Sequence, residues 1–265
     1  MVVKSDSKLQ PVTGSWLRGF RAVFNKELVR HFGNKRFLSQ LVLWCAISAS
    51  PAIALTSDGS TELPIVRGTS LLTLFLWLGT VPMCIGTIIL TQGAIIEEKM
   101  TQTLLWICSK PLSRPALIIG KFAAYAIFLG SIVLGIPAVI TYIVALIYAG
   151  LPLFTFLPGF LASLLMTYLL LLFLLALTLM LGACFNHIGT VTAIAFFVYI
   201  GGASLNSDIR LQKIEPYTFS ALQRYAVEII SGRFYPTAWI AMATTLLLTI
   251  LFLLVAFWQM ERYEL

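Results

Sequence analysis

Residues 157–185, LPGFLASLLMTYLLLLFLLALTLMLGACF, run without one charged side chain. A helix rises about 1.5 Å per residue, so roughly 20 apolar residues cross the ~30 Å hydrocarbon layer of a bilayer. This stretch is long enough to do so, and too uniformly apolar for a helix with one wet face. Working outward from it, five more blocks of the same kind are candidate spans: Phe37 to Leu55, Thr69 to Ile96, Gly120 to Ala149, Gly189 to Leu205 and Pro236 to Trp258, beside Leu157 to Phe185 itself. The chain as a whole shares their character. It is 59% hydrophobic and 11% charged, with a mean hydropathy of +0.92, whereas a soluble domain is about one-quarter charged. The expected fold is an all-α integral membrane protein with six transmembrane helices.

The basic residues orient it. Eight lysines and arginines precede the first block, four lie from Lys99 to Lys121 and Arg262 follows the last, while Arg67, Arg210, Lys213, Arg224 and Arg233 fall in the opposite loops. By the positive-inside rule both termini are expected in the cytoplasm. The net charge of +7 therefore belongs to lipid headgroups and topology, not to nucleic acid. No short apolar core with a small-residue cleavage site marks the first 36 residues, so the first span is expected to act as its own targeting signal. Cys45, Cys84, Cys108 and Cys184 are scattered, and His31 and His187 lie apart, so no metal site and no disulfide framework is expected.

Two divisions follow: residues 1–36, a cytoplasmic N-terminus, and 37–265, the transmembrane domain, with a cytoplasmic loop at 97–120 and an outer loop at 206–235. Within the first, Trp16, Phe20, Val23, Phe24 and Leu28 recur at three- and four-residue steps while Arg18, Arg21, Lys26 and Arg30 stand elsewhere. That spacing predicts an amphipathic helix in the headgroup plane. In the loop, Glu97 and Glu98 close a span, Thr103 to Cys108 is apolar but too short to cross, Pro111 and Pro115 bracket a turn, and Ser113 is placed to cap the next helix. A short helix held at the membrane face is the expected product. In the outer loop, Phe219, Leu222, Tyr225, Ala226 and Ile229 share one helical face; such a helix either caps a pathway or rests on the headgroups. Pro82, Gly86 and Pro137 predict weakened or bent spans, Pro137 as a bend or a hinge.

The pattern Glu97-Glu98-Lys99, Thr103-Leu104, Pro111-Leu112-Ser113-Arg114 and Gly120-Lys121 resembles the cytoplasmic loop of ABC type-2 exporter permeases, departing from it at Met100 and Gln102. The resemblance implies a coupling helix near Thr101 to Ser109 that docks on a separate ATPase subunit, with Glu97, Glu98, Lys99, Thr103, Leu104, Pro111 and Arg114 as coupling residues. It implies an interfacial helix carrying Trp16, Phe20, Arg21, Phe24 and Arg30, and an outer gate of short outer-leaflet helices with Phe219, Leu222 and Tyr225. Two ATPase copies, a second permease copy or sibling, and a prokaryotic inner membrane are implied too. The chain has no GxxxxGK[ST] phosphate loop, so ATP and magnesium are expected in the partner, with no cofactor and no catalytic residue here. The span interiors hold no Asp, Glu, Lys or Arg, against an ion-coupled transporter. No inverted repeat is visible. A membrane enzyme acting on lipid and a non-transporting scaffold are the alternatives; the first would need a paired base at membrane depth. Trp77, Tyr142, Tyr168, Phe173 and Tyr199 in the spans suit a hydrophobic or amphipathic cargo.

Overall fold

The computed structural model describes residues 19–33, 36–57, 64–101, 113–149, 154, 156–205 and 214–262. Among these the chain is mostly helical, with no strand. In chain order the helices are α1 (Phe20–Phe32), α2 (Arg36–Ser57), α3 (Pro64–Thr91), α4 (Ile96–Met100), α5 (Arg114–Phe128), a π-helical turn (Leu129–Gly135), α6 (Ile136–Ala149), α7 (Leu157–Cys184), α8 (Ile188–Leu205), a 3₁₀ turn (Glu215–Tyr217), α9 (Ala221–Ile230) and α10 (Ala238–Arg262).

Four segments among the described residues are long and apolar enough to cross a membrane: Ile65–Met100, Arg114–Ile147, Leu157–Cys184 and Ala238–Arg262. The chain is a multi-pass membrane protein. The expected count was six; α2 and α8 are apolar, but their described apolar stretches, Phe37–Ile47 and Ile188–Ser204, are shorter. The block expected to begin at Gly120 starts at Arg114, because Pro115 sits in the first turn, where its missing N–H costs nothing. Ser113 precedes that turn in extended conformation but makes no side-chain cap bond to it.

α7 is the central post. Its Leu170, Leu171, Phe173, Leu174, Leu175 and Ala176 are buried, and α3, α9 and α10 pack on it. Thr91 of α3 meets Thr178 of α7 through a buried hydroxyl pair at 2.7 Å. Gln92, just past the end of α3, accepts from the Thr192 hydroxyl of α8. α2 reaches α3 closely at one point: a Cβ on Gly86 would overlap the buried Trp44 ring, so only glycine admits that indole.

Pro137 leaves its mark upstream. Proline brings no N–H for the carbonyl four residues back, and the helix widens before it, the Ile136 N–H bonding Ser131 O five residues away. A Cβ on Gly135 would come 2.5 Å from Gly130 O. Just before the turn, the Tyr168 hydroxyl of α7 donates to Ala126 O at 3.1 Å. The sequence-based bend is thus a π-helical turn braced from α7.

Candidate functional site

The two ends of the bundle each gather charge. At the end where α1 lies, α1 packs along the start of α5 and approaches it closely at Gly120, where a Cβ would sit 3.0 Å from Val23 Cγ1. Val23 is one residue of the buried face; Glu27, one turn on, is the other. The helix expected to turn an apolar stripe inward therefore turns a carboxylate inward as well. Glu27 Oε1 accepts from Lys121 Nζ at 2.8 Å, and both side chains are 0% exposed. Lys121 also lies 3.1 Å from Glu98 Oε1, which accepts from Lys26 Nζ at 3.0 Å. Arg30 Nη2 donates to Glu97 Oε2 at 2.6 Å, and Nη1 lies 3.8 Å from Glu27 Oε2.

Six charges, three of each sign, thus lock α1 to α4 and α5. Burial pushes the Glu27 carboxyl up, but the Lys121 ammonium, with Arg30 and Lys26, holds it below the ordinary carboxylate range. Burial works against the Arg30 charge, but the Glu97 hydrogen bond together with the charges of Tyr125, Glu27 and Glu97 raises the pKa above its ordinary value. His31 sits against the rings of Tyr125 and Phe128, 4.4 and 4.9 Å between centroids, and burial lowers its pKa. Glu27 Oε2, Glu98 Oε2 and His31 Nε2 are covered and have no hydrogen-bond partner among the described residues.

The other residues expected to couple to a partner, where their positions are described, also direct their polar atoms within the chain. Lys99 Nζ donates to Ala183 O at 2.7 Å, capping the C-terminus of α7, where a cation meets unsatisfied carbonyls. Arg114 Nη1 does the same for α10, donating to Met260 O at 3.0 Å and Glu261 O at 2.5 Å. Thr103, Leu104 and Pro111, with the coupling helix expected near Thr101 to Ser109, and Trp16 of the interfacial helix lie outside the described residues. Of that helix, Phe20 stacks on Phe24 at 5.6 Å, while Arg21 is exposed. Glu27 was the residue passed over: a carboxylate four residues after Val23, on the same face, is the one signal the sequence carried. Lys121 was visible only as part of a pattern, without a partner.

At the opposite end α9 packs on α7, with Ser163 Oγ donating to Ala226 O at 2.6 Å. The three residues expected at an outer gate, Phe219, Leu222 and Tyr225, all pack inward. Leu222 and Tyr225 are buried, the Tyr225 hydroxyl pairing with Thr237 at 2.9 Å. Phe219 stacks on Phe173 at 4.4 Å and lies against Gly202, where a Cβ would overlap its ring. The other side of α9 faces a groove of about 720 Å³ shared with α3 and α8. There Arg224 Nη1 lies 2.8 Å from both oxygens of Glu215, and Nε donates to Glu228 Oε1 at 3.0 Å. These two carboxylates raise the Arg224 pKa above its ordinary value. Among the described residues no group of three or more His, Cys, Asp or Glu could hold a metal ion. Cys84 is buried as a packing residue, Cys45 half-buried and Cys184 exposed.

No family model matches the chain, and no curated protein matches it in sequence.

Proposed function

We propose that this chain is the permease subunit of an ATP-driven exporter of the ABC type-2 kind, with six spans formed by α2, α3, α5–α6, α7, α8 and α10. Both termini and α1 then face the cytoplasm, and α9 lies in the outer leaflet before the last span. The site that carries the reading is the charge cluster at α1. Glu97 and Glu98 stand on one side of residues 102–112, Arg114 and Lys121 on the other, and α1 is bonded to both sides. A push on that segment by an ATPase subunit would reach α1, α4 and α5 as one body. Two ATPase copies, which bind ATP and magnesium, would drive a pair of permease chains between inward- and outward-open arrangements. The cargo would be a hydrophobic or amphipathic molecule, suited to the aromatic residues of the spans.

The test is a pull-down of the tagged chain from its host membrane in mild detergent. An ATPase subunit should come with the wild type and be lost with Leu104→Glu, which leaves the charge cluster intact. Glu98→Lys is the wrong probe, because it sets a third ammonium beside Lys26 and Lys121 and would unfold the cluster itself. Failure of the wild type to retain any ATPase, even after gentle crosslinking, overturns the reading.

A further inference from the structure

The groove between α3, α8 and α9 plays no part in the coupling described above, and it is where apolar surface meets unbalanced charge. Trp77 and Val81 of α3 and Ile200 of α8 form its apolar wall, all three exposed; Gln223, Arg224 and Glu228 of α9 form its polar side. Its volume of about 720 Å³ falls within the roughly 300–1,000 Å³ typical of small-molecule sites. Gln223 donates to Trp77 O at 3.5 Å, so the polar side is tied to the apolar wall.

Among the described residues the charges do not cancel. One guanidinium serves two carboxylates, and Glu215, 5% exposed, takes both of its oxygens to Arg224 Nη1. Glu228 keeps only the bond from Nε, and its Oε2 has no donor among the described residues. A half-satisfied carboxylate beside an apolar wall is costly, and a cation brought by a ligand would relieve that cost.

We propose that this groove binds an amphiphile from the surrounding bilayer that carries an ammonium headgroup. The ammonium pairs with the Glu228 carboxylate, and the alkyl chain lies along Trp77, Val81 and Ile200. Glu228 Oε2 is covered as it stands, but the terminal torsion of a glutamate is broad and soft, so a turn of the carboxylate presents it. The Trp77 ring adds a second attraction for a quaternary ammonium over its face. Anionic headgroups meet a rim that is net negative among the described residues, and neutral ones gain only the apolar wall. Such binding requires no ATPase, so it stands or falls apart from the exporter reading.

The test uses the purified chain in dodecyl maltoside, titrated with a brominated dodecyltrimethylammonium and, in parallel, a brominated dodecyl maltoside. Quenching of Trp77 is read as the difference between wild type and Trp77→Phe. Saturable quenching is expected at an at least about tenfold lower mole fraction of the cationic probe, as a charge pair at a partly desolvated site gives. Glu228→Gln should erase that preference, and Ala203→Phe, which fills the groove without changing charge or adding a fluorescent indole, should abolish the saturable component for both probes. Equal affinity for the two probes, a preference that survives in Glu228→Gln, or saturable quenching in Ala203→Phe would each overturn the proposal. If Glu228→Gln does not purify folded, the wild type at low and high salt decides: a preference insensitive to salt overturns it equally.

Discussion

The charge cluster at α1 and the one at α9 are built from the same residue types and do opposite things. At α1 three cations meet three carboxylates, and the central pair, Glu27 and Lys121, is sealed from solvent on both sides. At α9, among the described residues, one cation meets two carboxylates, Arg224 is 42% exposed, and the cluster borders an open groove. A closed, balanced cluster holds elements together; an open one that is short of a cation is left able to receive something. The difference follows from placement. α1 packs along α5 with one carboxylate, Glu27, turned inward beside Val23, whereas α9 buries its apolar face on α7 and leaves its polar face to the groove.

The comparison breaks most readily at Lys121. Lys121→Met strands Glu27 in a buried site and should cost about 3–5 kcal/mol, as removal of one partner from a buried pair does. The double change Glu27→Leu/Lys121→Met removes both charges and should recover most of that loss. Thermal unfolding in detergent measures both. A single change as mild as the double one would mean that the pair is not sealed. Packing sharpens the same contrast: Gly120→Ala presses on Val23 and Gly202→Ala on Phe219, each at about 1–3 kcal/mol for an overfilled contact. Gly120→Ala should loosen α1, seen as faster proteolysis near Gly33, and Gly202→Ala should leave α1 unchanged. At the open cluster Arg224→Met should cost only about 1–2 kcal/mol, because the guanidinium is partly wet although Glu215 is not. A loss as large as that of Lys121→Met would erase the distinction between the two ends.

Much of the architecture was legible in the chain. α7 could be read from its unbroken apolar run, because a lipid-facing or core helix needs no polar face. The amphipathic α1 was legible as a period, but not the sign of its inner face: three-residue steps identify Phe20, Val23 and Phe24 and cannot tell that Glu27 joins them, since its partner Lys121 is 94 positions away. Pro137 announced an irregularity, and that it became a π-helical turn depends on Gly130 and Gly135 and on Tyr168 of another helix. Along α9 the apolar stripe pointed to Phe219, Leu222 and Tyr225, which are the packing residues. The groove is made by the residues off that stripe, and periodicity ranks those as surface.

The smallest expected effect concerns pH and isolates one residue of the closed cluster. His31 faces Glu27 and Arg30 of its own helix and Lys121 and Tyr125 of α5. Burial lowers its pKa, with Arg30 and Lys121 adding to the shift and Glu27 opposing it. A depressed folded-state pKa means the unfolded chain takes up the proton first, so stability is complete above the ordinary histidine value of about 6.5 and declines as pH falls below it. Glu27 is also depressed, but its loss begins only as pH falls through the carboxylate range, below about 4.5, so the two windows separate. The histidine component should amount to less than about 1 kcal/mol at pH 6. It should be read as a fall in unfolding temperature, or as faster hydrogen exchange in α1, between pH 7 and pH 5.5. His31→Phe keeps the ring contacts with Tyr125 and Phe128 and should flatten that slope while leaving the acid loss in place. An unchanged slope in His31→Phe would place the titrating group elsewhere and leave the α1 cluster, with its charges paired off, indifferent to pH in that range.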